Sequence, residues 1–174
     1  MLPKLSVIVG ATASGKSAFA EKLVMDSALR RIYLATAQAH DDEMRAKICE
    51  HQTSRGPDWQ TIEAPLDLSE PLASATANDI VLLDCATLWL TNHLLADNDL
   101  AQAQTELLNA LSACKARVVV VSNEVGAGIV PDNALARQFR QAQGQLNQAL
   151  AARAELVACV IAGLPMVLKG TLPK

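Results

Sequence analysis

The chain has 174 residues, 51% of them hydrophobic but only 3% aromatic, with a net charge of −3 and a pI near 5.6. That length fits a single domain spanning 1–174, and the aliphatic composition fits helices packed on a buried parallel sheet. The acidic balance excludes a nucleic-acid coat, which needs a basic field against phosphates, and the lack of any run of 18 apolar residues leaves no candidate membrane span.

Strands and helices alternate along the sequence. Leu5 to Val9 is a short apolar run ending at a glycine, a buried strand, and a helix is predicted from Lys16 to Val24. Arg31 to Ala35 reads as a second strand. Asp41 and Asp42 offer an N-cap for a helix carrying Met44, Ile48 and His51 on one face, closed by Arg55-Gly56-Pro57. Trp59 to Glu63 alternates as a strand, and Ile80 to Asp84 is a buried strand running into a helix over Thr87 to Leu95. Helical period continues over Asp99 to Ala116, and Arg117 to Ser122 is a buried strand. Pro131-Asp132 opens a long helix with the apolar stripe Leu135, Phe139, Ala142, Leu146 and Leu150, and Leu156 to Ile161 is the last predicted strand. The expected fold is α/β, a mostly parallel sheet with helices on both faces.

The start, MLPKLSVIVG, is too short and too strand-like for a signal peptide. Four scattered cysteines (49, 85, 114, 159) have neither CxxC nor zinc spacing, so reduced thiols in a cytoplasmic protein are expected.

The most specific motif is GATASGKS. Gly10, Ala11, Thr12, Ala13, Ser14, Gly15, Lys16 and Ser17 satisfy G-x-x-x-x-G-K-[ST] between a buried strand and a helix, the context a phosphate loop requires. Loop amides and the helix N-terminus converge on one anion, Lys16 adds a point charge at the terminal phosphates, and Ser17 offers a hydroxyl to Mg²⁺. Such proteins use a strand-end acid to support the metal. Asp84 ends its strand directly, Glu124 lies just past the end of another, and Asp84 is the better placed; capping the next helix is a second role open to it. The loop implies a nucleoside triphosphate, and leaves a kinase or a non-catalytic regulatory module open. His51 on its half-apolar face reads equally as a core histidine at a helix C-terminus.

Several segments extend the reading: YLATAQAHDDEM (33–44), KICEHQTSRGPDWQTIEAP (47–65), LLDCATLWLTNHL (82–94), VVVSNEVGAGIVPDNALARQFRQAQGQLNQALA (119–151) and AGLPMVLK (162–169). With the phosphate loop, in this order and spacing, they resemble the bifunctional adenosylcobinamide kinase / adenosylcobinamide-phosphate guanylyltransferase family of cobalamin biosynthesis. The resemblance implies a P-loop fold and two reactions. ATP or GTP phosphorylates the aminopropanol hydroxyl of adenosylcobinamide. GMP then passes from GTP to that phosphate through a guanylyl-histidine, and His51 stands at the family's histidine position. Alternatively, the chain is a small-molecule kinase without guanylyl transfer.

The resemblance also implies a nucleotide pocket of Gly10 to Ser17, Ala35, Thr36, Ala37, Gln52, Thr53, Ser54, Arg55, Glu63 and Cys85, with Ser17 and Asp84 at the metal and Lys16 and His51 catalytic. Glu63 would take the guanine N1 and N2 protons, or is an edge-strand carboxylate. Arg55 would offset phosphate charge, or is a solvated helix end. Cys85 would approach the nucleotide with its backbone. His40 reads as a loop residue and His93 as surface or packing. Arg137 and Arg140 meet phosphate or form an exposed basic face. The loop departs from the family's G-G-x-R-S-G-K-S at Ala11 and Ala13, with the Walker core intact. The implied assembly is a homotrimer.

Overall fold

The computed structural model describes residues 1–38 and 56–173. The helix expected over Met44 to His51, together with His40, Cys49, His51, Gln52, Thr53, Ser54 and Arg55, lies outside the described residues.

In chain order the elements are β1 (Leu5–Gly10), α1 (Lys16–Met25), β2 (Arg30–Ala35), β3 (Trp59–Glu63), α2 (Ser69–Ser74), β4 (Asp79–Asp84), α3 (Ala86–Leu95), α4 (Leu100–Ala113), β5 (Arg117–Asn123), α5 (Ala134–Arg153), β6 (Leu156–Ile161) and β7 (Leu164–Lys169). They build one seven-stranded sheet of order β3-β2-β4-β5-β1-β6-β7, parallel except at the β6–β7 edge. The central strands are apolar at nearly every position because both faces are covered. Leu5, Val7, Leu34, Val81, Leu83, Val118 and Val120 pack against Leu72, Leu90, Leu107, Leu146 and Leu150 of α2 to α5. Ile8, Tyr33, Ile80, Leu82, Val119 and Val160 face the other way, onto Ala20, Leu23 and Val24 of α1.

Four expectations are corrected. β6 is not the last strand: Ala162 and Gly163, both at positive φ (52° and 77°), turn the chain back into β7. That left-handed pair matches the twist of an antiparallel hairpin, and Pro165 is tolerated because β7 is an edge strand. α2 was not expected at all, its single short turn being too brief to show a period. α5 begins at Ala134, not at Pro131, because Asn133 Oδ1 caps the Ala136 N–H at 2.7 Å. Leu135 does not belong to the apolar stripe, being 54% exposed.

One ion pair ties the amino ends of β2 and β4. Asp79, its side chain fully buried, takes Arg30 Nε at 2.6 Å and Nη2 at 3.0 Å, and also the Thr76 N–H and hydroxyl at 2.6 and 2.8 Å. The Arg30 guanidinium, aided by both Thr76 groups, holds the Asp79 carboxyl far below the usual carboxylate range against the cost of burial. A depressed folded-state pKa contributes stability above the unfolded value, about 3.9, and loses it as pH falls below. Asp79→Asn is therefore expected to lower stability by about 2–4 kcal/mol at pH 7. The gap between variant and wild type should narrow below about pH 4. Urea unfolding at pH 7 and pH 3 checks this, and an equal gap at both would refute it.

Candidate active site

The carboxyl ends of the parallel strands form one edge, and register aligns the expected site residues along it. Ala35 pairs with Glu63 on one side and Asp84 on the other, Asp84 pairs with Val121, and Gly10 pairs with Asn123. In open α/β sheets ligands collect at this edge.

The phosphate loop is exposed from Ala11 to Ala13, with Ser14 buried beneath. Gly15 takes φ 90°, the left-handed conformation glycine tolerates, as it caps α1; Ala13 also takes a positive φ, 58°. Lys16 Nζ rests on the loop's own Ala11 carbonyl at 3.3 Å, and Ser17, in the first turn of α1, is half-buried. The β6–β7 turn braces the loop from behind, the Gly163 N–H donating to the Ser14 carbonyl at 2.8 Å. A Cβ at Gly10 would lie 2.5 Å from Ser14 Oγ and 2.7 Å from the Val160 carbonyl oxygen. The hydroxyl can rotate away, but the strand carbonyl cannot. Gly10→Ala is thus expected to cost about 1–3 kcal/mol in stability and to weaken nucleotide binding. Calorimetric titration and thermal melting check both, and wild-type affinity would refute it.

Burial first, and the adjacent Asp84 carboxylate second, push the buried Cys85 thiol up to about 11. Cys85 is therefore a neutral thiol. Its sulfur accepts the Leu88 N–H and caps α3, and its backbone is engaged with Thr36. The buried Thr36 hydroxyl accepts the Cys85 N–H and donates to the Cys85 carbonyl, both at 2.8 Å. These two residues expected at the nucleotide thus hydrogen-bond each other, clasping the ends of β2 and β4. Asn92 completes the clasp, its amide donating to the Thr36 and Pro65 carbonyls at 2.8 and 2.9 Å. Ala35 is buried, Ala37 is half-buried, and Glu63 is exposed at the outer end of the edge.

Sequence reasoning missed a second polar cluster at the end of β5. Buried Gln143 donates to Ser122 Oγ (2.9 Å) and Asn147 Oδ1 (3.0 Å), Asn147 donates to the Asn123 carbonyl (3.0 Å), and the Asn123 N–H donates to Thr87 Oγ1 (2.7 Å). The available signal was Gln143 and Asn147, four apart on the same side of the helix as the apolar residues Leu146 and Leu150. The cluster fixes β5 where the Glu124 N–H donates to the Gly10 carbonyl at 3.0 Å. Arg137 and Arg140 turn out to be loop straps. Arg137 holds the Pro131 and Asp132 carbonyls at 3.0 and 2.7 Å, and Arg140 holds that of Gly126. His93 is packing: buried, 4.5 Å from the Trp89 ring, with its nitrogens at Leu66 O and Asn98 Nδ2.

A parallel sheet with a strand–loop–helix phosphate site at its carboxyl edge defines a P-loop nucleoside-triphosphate-binding protein. Residues 6–168 match the family described as cobinamide kinase / cobinamide phosphate guanyltransferase. The chain belongs to that family, and is an enzyme of cobalamin biosynthesis, a kinase and guanylyltransferase that uses nucleoside triphosphates. It is 46% identical over 167 residues to the bifunctional adenosylcobalamin biosynthesis protein CobP of Pseudomonas aeruginosa, covering 94% of this chain and 96% of that one. It is 41% identical over 179 residues to the corresponding CobU proteins of Escherichia coli and Salmonella typhimurium, covering 94% of this chain and 98% of each. A solved structure from Pyrococcus horikoshii OT3 shares the fold alone, with a TM-score of 0.58 at 9% identity over 97% of this chain and 87% of that one.

Proposed function

We propose that Gly10 to Ser17 hold the triphosphate in both reactions, with Lys16 at the terminal phosphates, Ser17 and Asp84 at Mg²⁺, and His51 as the guanylyl carrier. The observation that carries the reading is the strand register: Ala35 pairs with Asp84, Asp84 with Val121, and Gly10 with Asn123, so the start of the phosphate loop and the strand-end acid share the carboxyl edge of the sheet. Ser17 and Asp84 would hold Mg²⁺, a serine hydroxyl and a carboxylate being the hard oxygen donors that ion takes. When bound it would neutralise charge on the phosphates.

In the kinase step the corrinoid's aminopropanol oxygen attacks the γ-phosphorus, and the bond to the bridging oxygen of the nucleoside diphosphate breaks. In the transferase step a neutral His51 nitrogen attacks the α-phosphorus of GTP, pyrophosphate leaves, and GMP is held as a phosphoramidate. An oxygen of the corrinoid phosphate then attacks the same phosphorus and the imidazole departs. Glu63, at the exposed end of β3, would receive the guanine N1 and N2 protons, with Arg55 beside the phosphates. ATP or GTP serves the first step. We also infer a homotrimer in the cytoplasm; Ile161, Leu164, Met166 and Leu168 leave an exposed apolar edge at the β6–β7 hairpin for a subunit to cover.

The test is intact mass after incubation with GTP and Mg²⁺ without corrinoid, followed by product analysis with adenosylcobinamide and ATP. An acid-labile gain of one GMP, with turnover of the corrinoid, is the expected result. Corrinoid phosphorylation with no adduct would reduce the protein to a kinase.

A further inference from the structure

The described residues form three notable hollows. A cleft of about 530 Å³ is lined by Leu2, Leu29 and Ala77, which precede β1, β2 and β4. It therefore opens at the amino ends of the strands, roughly 20 Å from the phosphate loop along a six-residue strand. A hollow of about 160 Å³ lies beside Trp89 and His93. The third is an open groove of about 540 Å³ between α5 and the 124–133 loop. Its near end is Gly126, two residues past Glu124, whose N–H is bonded to the first residue of the phosphate loop. Arg137 and Arg140 strap the loop to the helix and so fix the groove's wall.

We propose that this groove binds the corrinoid, its macrocycle against Val130 and its amide rim on the outer face of α5. The assignment rests on the function proposed above and supplies the second substrate's site. Its chemistry is matched on the page. Arg137, Gln141, Gly144 and Gln148 repeat at i, i+4, i+7 and i+11, and Gln145 lies beside them, so a stripe of amides lines the groove. A primary amide both donates and accepts, which suits the carboxamide arms around a corrin ring. Ile129 and Val130 are exposed at the loop tip, 96% and 66%, where a flat apolar ring would lie. The groove is open on one side, as a ligand wider than the groove requires.

Gly144 is a second, independent observation. It sits inside a twenty-residue helix, where glycine is destabilising relative to alanine. Among the described residues a Cβ there would meet no atom within 4 Å, so packing within them does not require the glycine. The missing side chain leaves a flat place on the stripe for something outside the chain.

The test uses full-length protein and two variants, Gly144→Leu and the double change Gln141→Ala/Gln145→Ala. Cobinamide binding is read by equilibrium dialysis and visible absorbance. Kinase kinetics use adenosylcobinamide at saturating ATP, and mass is read by light scattering. Each variant should raise the cobinamide Kd and the corrinoid KM by about tenfold or more, with the effect falling on corrinoid KM rather than ATP KM. Gly144→Leu should also raise Tm by about 2–4 °C, because leucine favours the helix. Wild-type Kd in both variants overturns the groove assignment. So does an affinity loss that tracks a change in oligomeric mass, which would make the groove a subunit contact. Wild-type protein that fails to turn over adenosylcobinamide overturns the proposed function instead.

Discussion

Lys16→Ala is expected to lower kcat/KM of the kinase step by about 10²–10³-fold while leaving the fold intact. The charge that develops on the transferring phosphoryl group is spread over its oxygens, and fixed cations aimed there are the largest single source of stabilisation. Removing one such group from a preorganised site costs about 2.7–4 kcal/mol of transition-state stabilisation. The folded state gives up little, because Lys16 is half-exposed and among the described residues its Nζ bonds the Ala11 carbonyl alone, at 3.3 Å. That carbonyl belongs to the loop itself and stays solvated when the amine leaves. Thermal melting should place the variant within a degree or two of wild type, and steady-state kinetics should show the loss. Lys16→Arg should not restore the rate, since a planar fork does not fit a seat made for a compact ammonium. Near-wild-type turnover in Lys16→Ala would remove the lysine from the chemistry.

His51→Ala is expected to abolish the GMP adduct and to depress guanylyl transfer at least about 10³-fold, while the kinase rate stays within about threefold. Without the imidazole, the corrinoid phosphate must attack GTP directly, bringing two polyanions together in one step. In the proposed mechanism the histidine would divide that encounter, pyrophosphate leaving before the second phosphate arrives. Adenosylcobinamide phosphate should accumulate in the variant when ATP and GTP are both supplied. An adduct that persists in His51→Ala would place the carrier elsewhere, and an equal loss of both activities would make the residue structural.

The two predictions rest on different kinds of legibility. Lys16 is legible from sequence because a phosphate loop is local: eight consecutive residues, a preceding apolar strand and a following helix specify it. The strand-end alignment of Ala35, Glu63 and Asp84 is nearly as legible, since each ends a strand-like run and parallel strands in one sheet present their carboxyl ends to the same edge. Asp84 ranks above Glu124 in the sequence because it ends its strand directly. The structure keeps Asp84 as the last residue of β4, paired with Ala35, whereas Glu124 is exposed and turns back on the Gly126 N–H.

The class of fold, the phosphate loop and the family are legible in the residues alone, because each is written in contiguous positions with a fixed period or spacing. Only the tertiary structure decided what the distant polar groups do. Thr36 and Cys85, 49 positions apart, exchange hydrogen bonds across β2 and β4, and Gln143 and Asn147 meet Ser122 and Asn123 across a helix–sheet interface. Arg137 and Arg140 resemble a basic face until their guanidiniums are found on loop carbonyls. A buried polar group must find its partner wherever the packed chain brings one, and that choice is made by the assembled fold rather than by sequence neighbours.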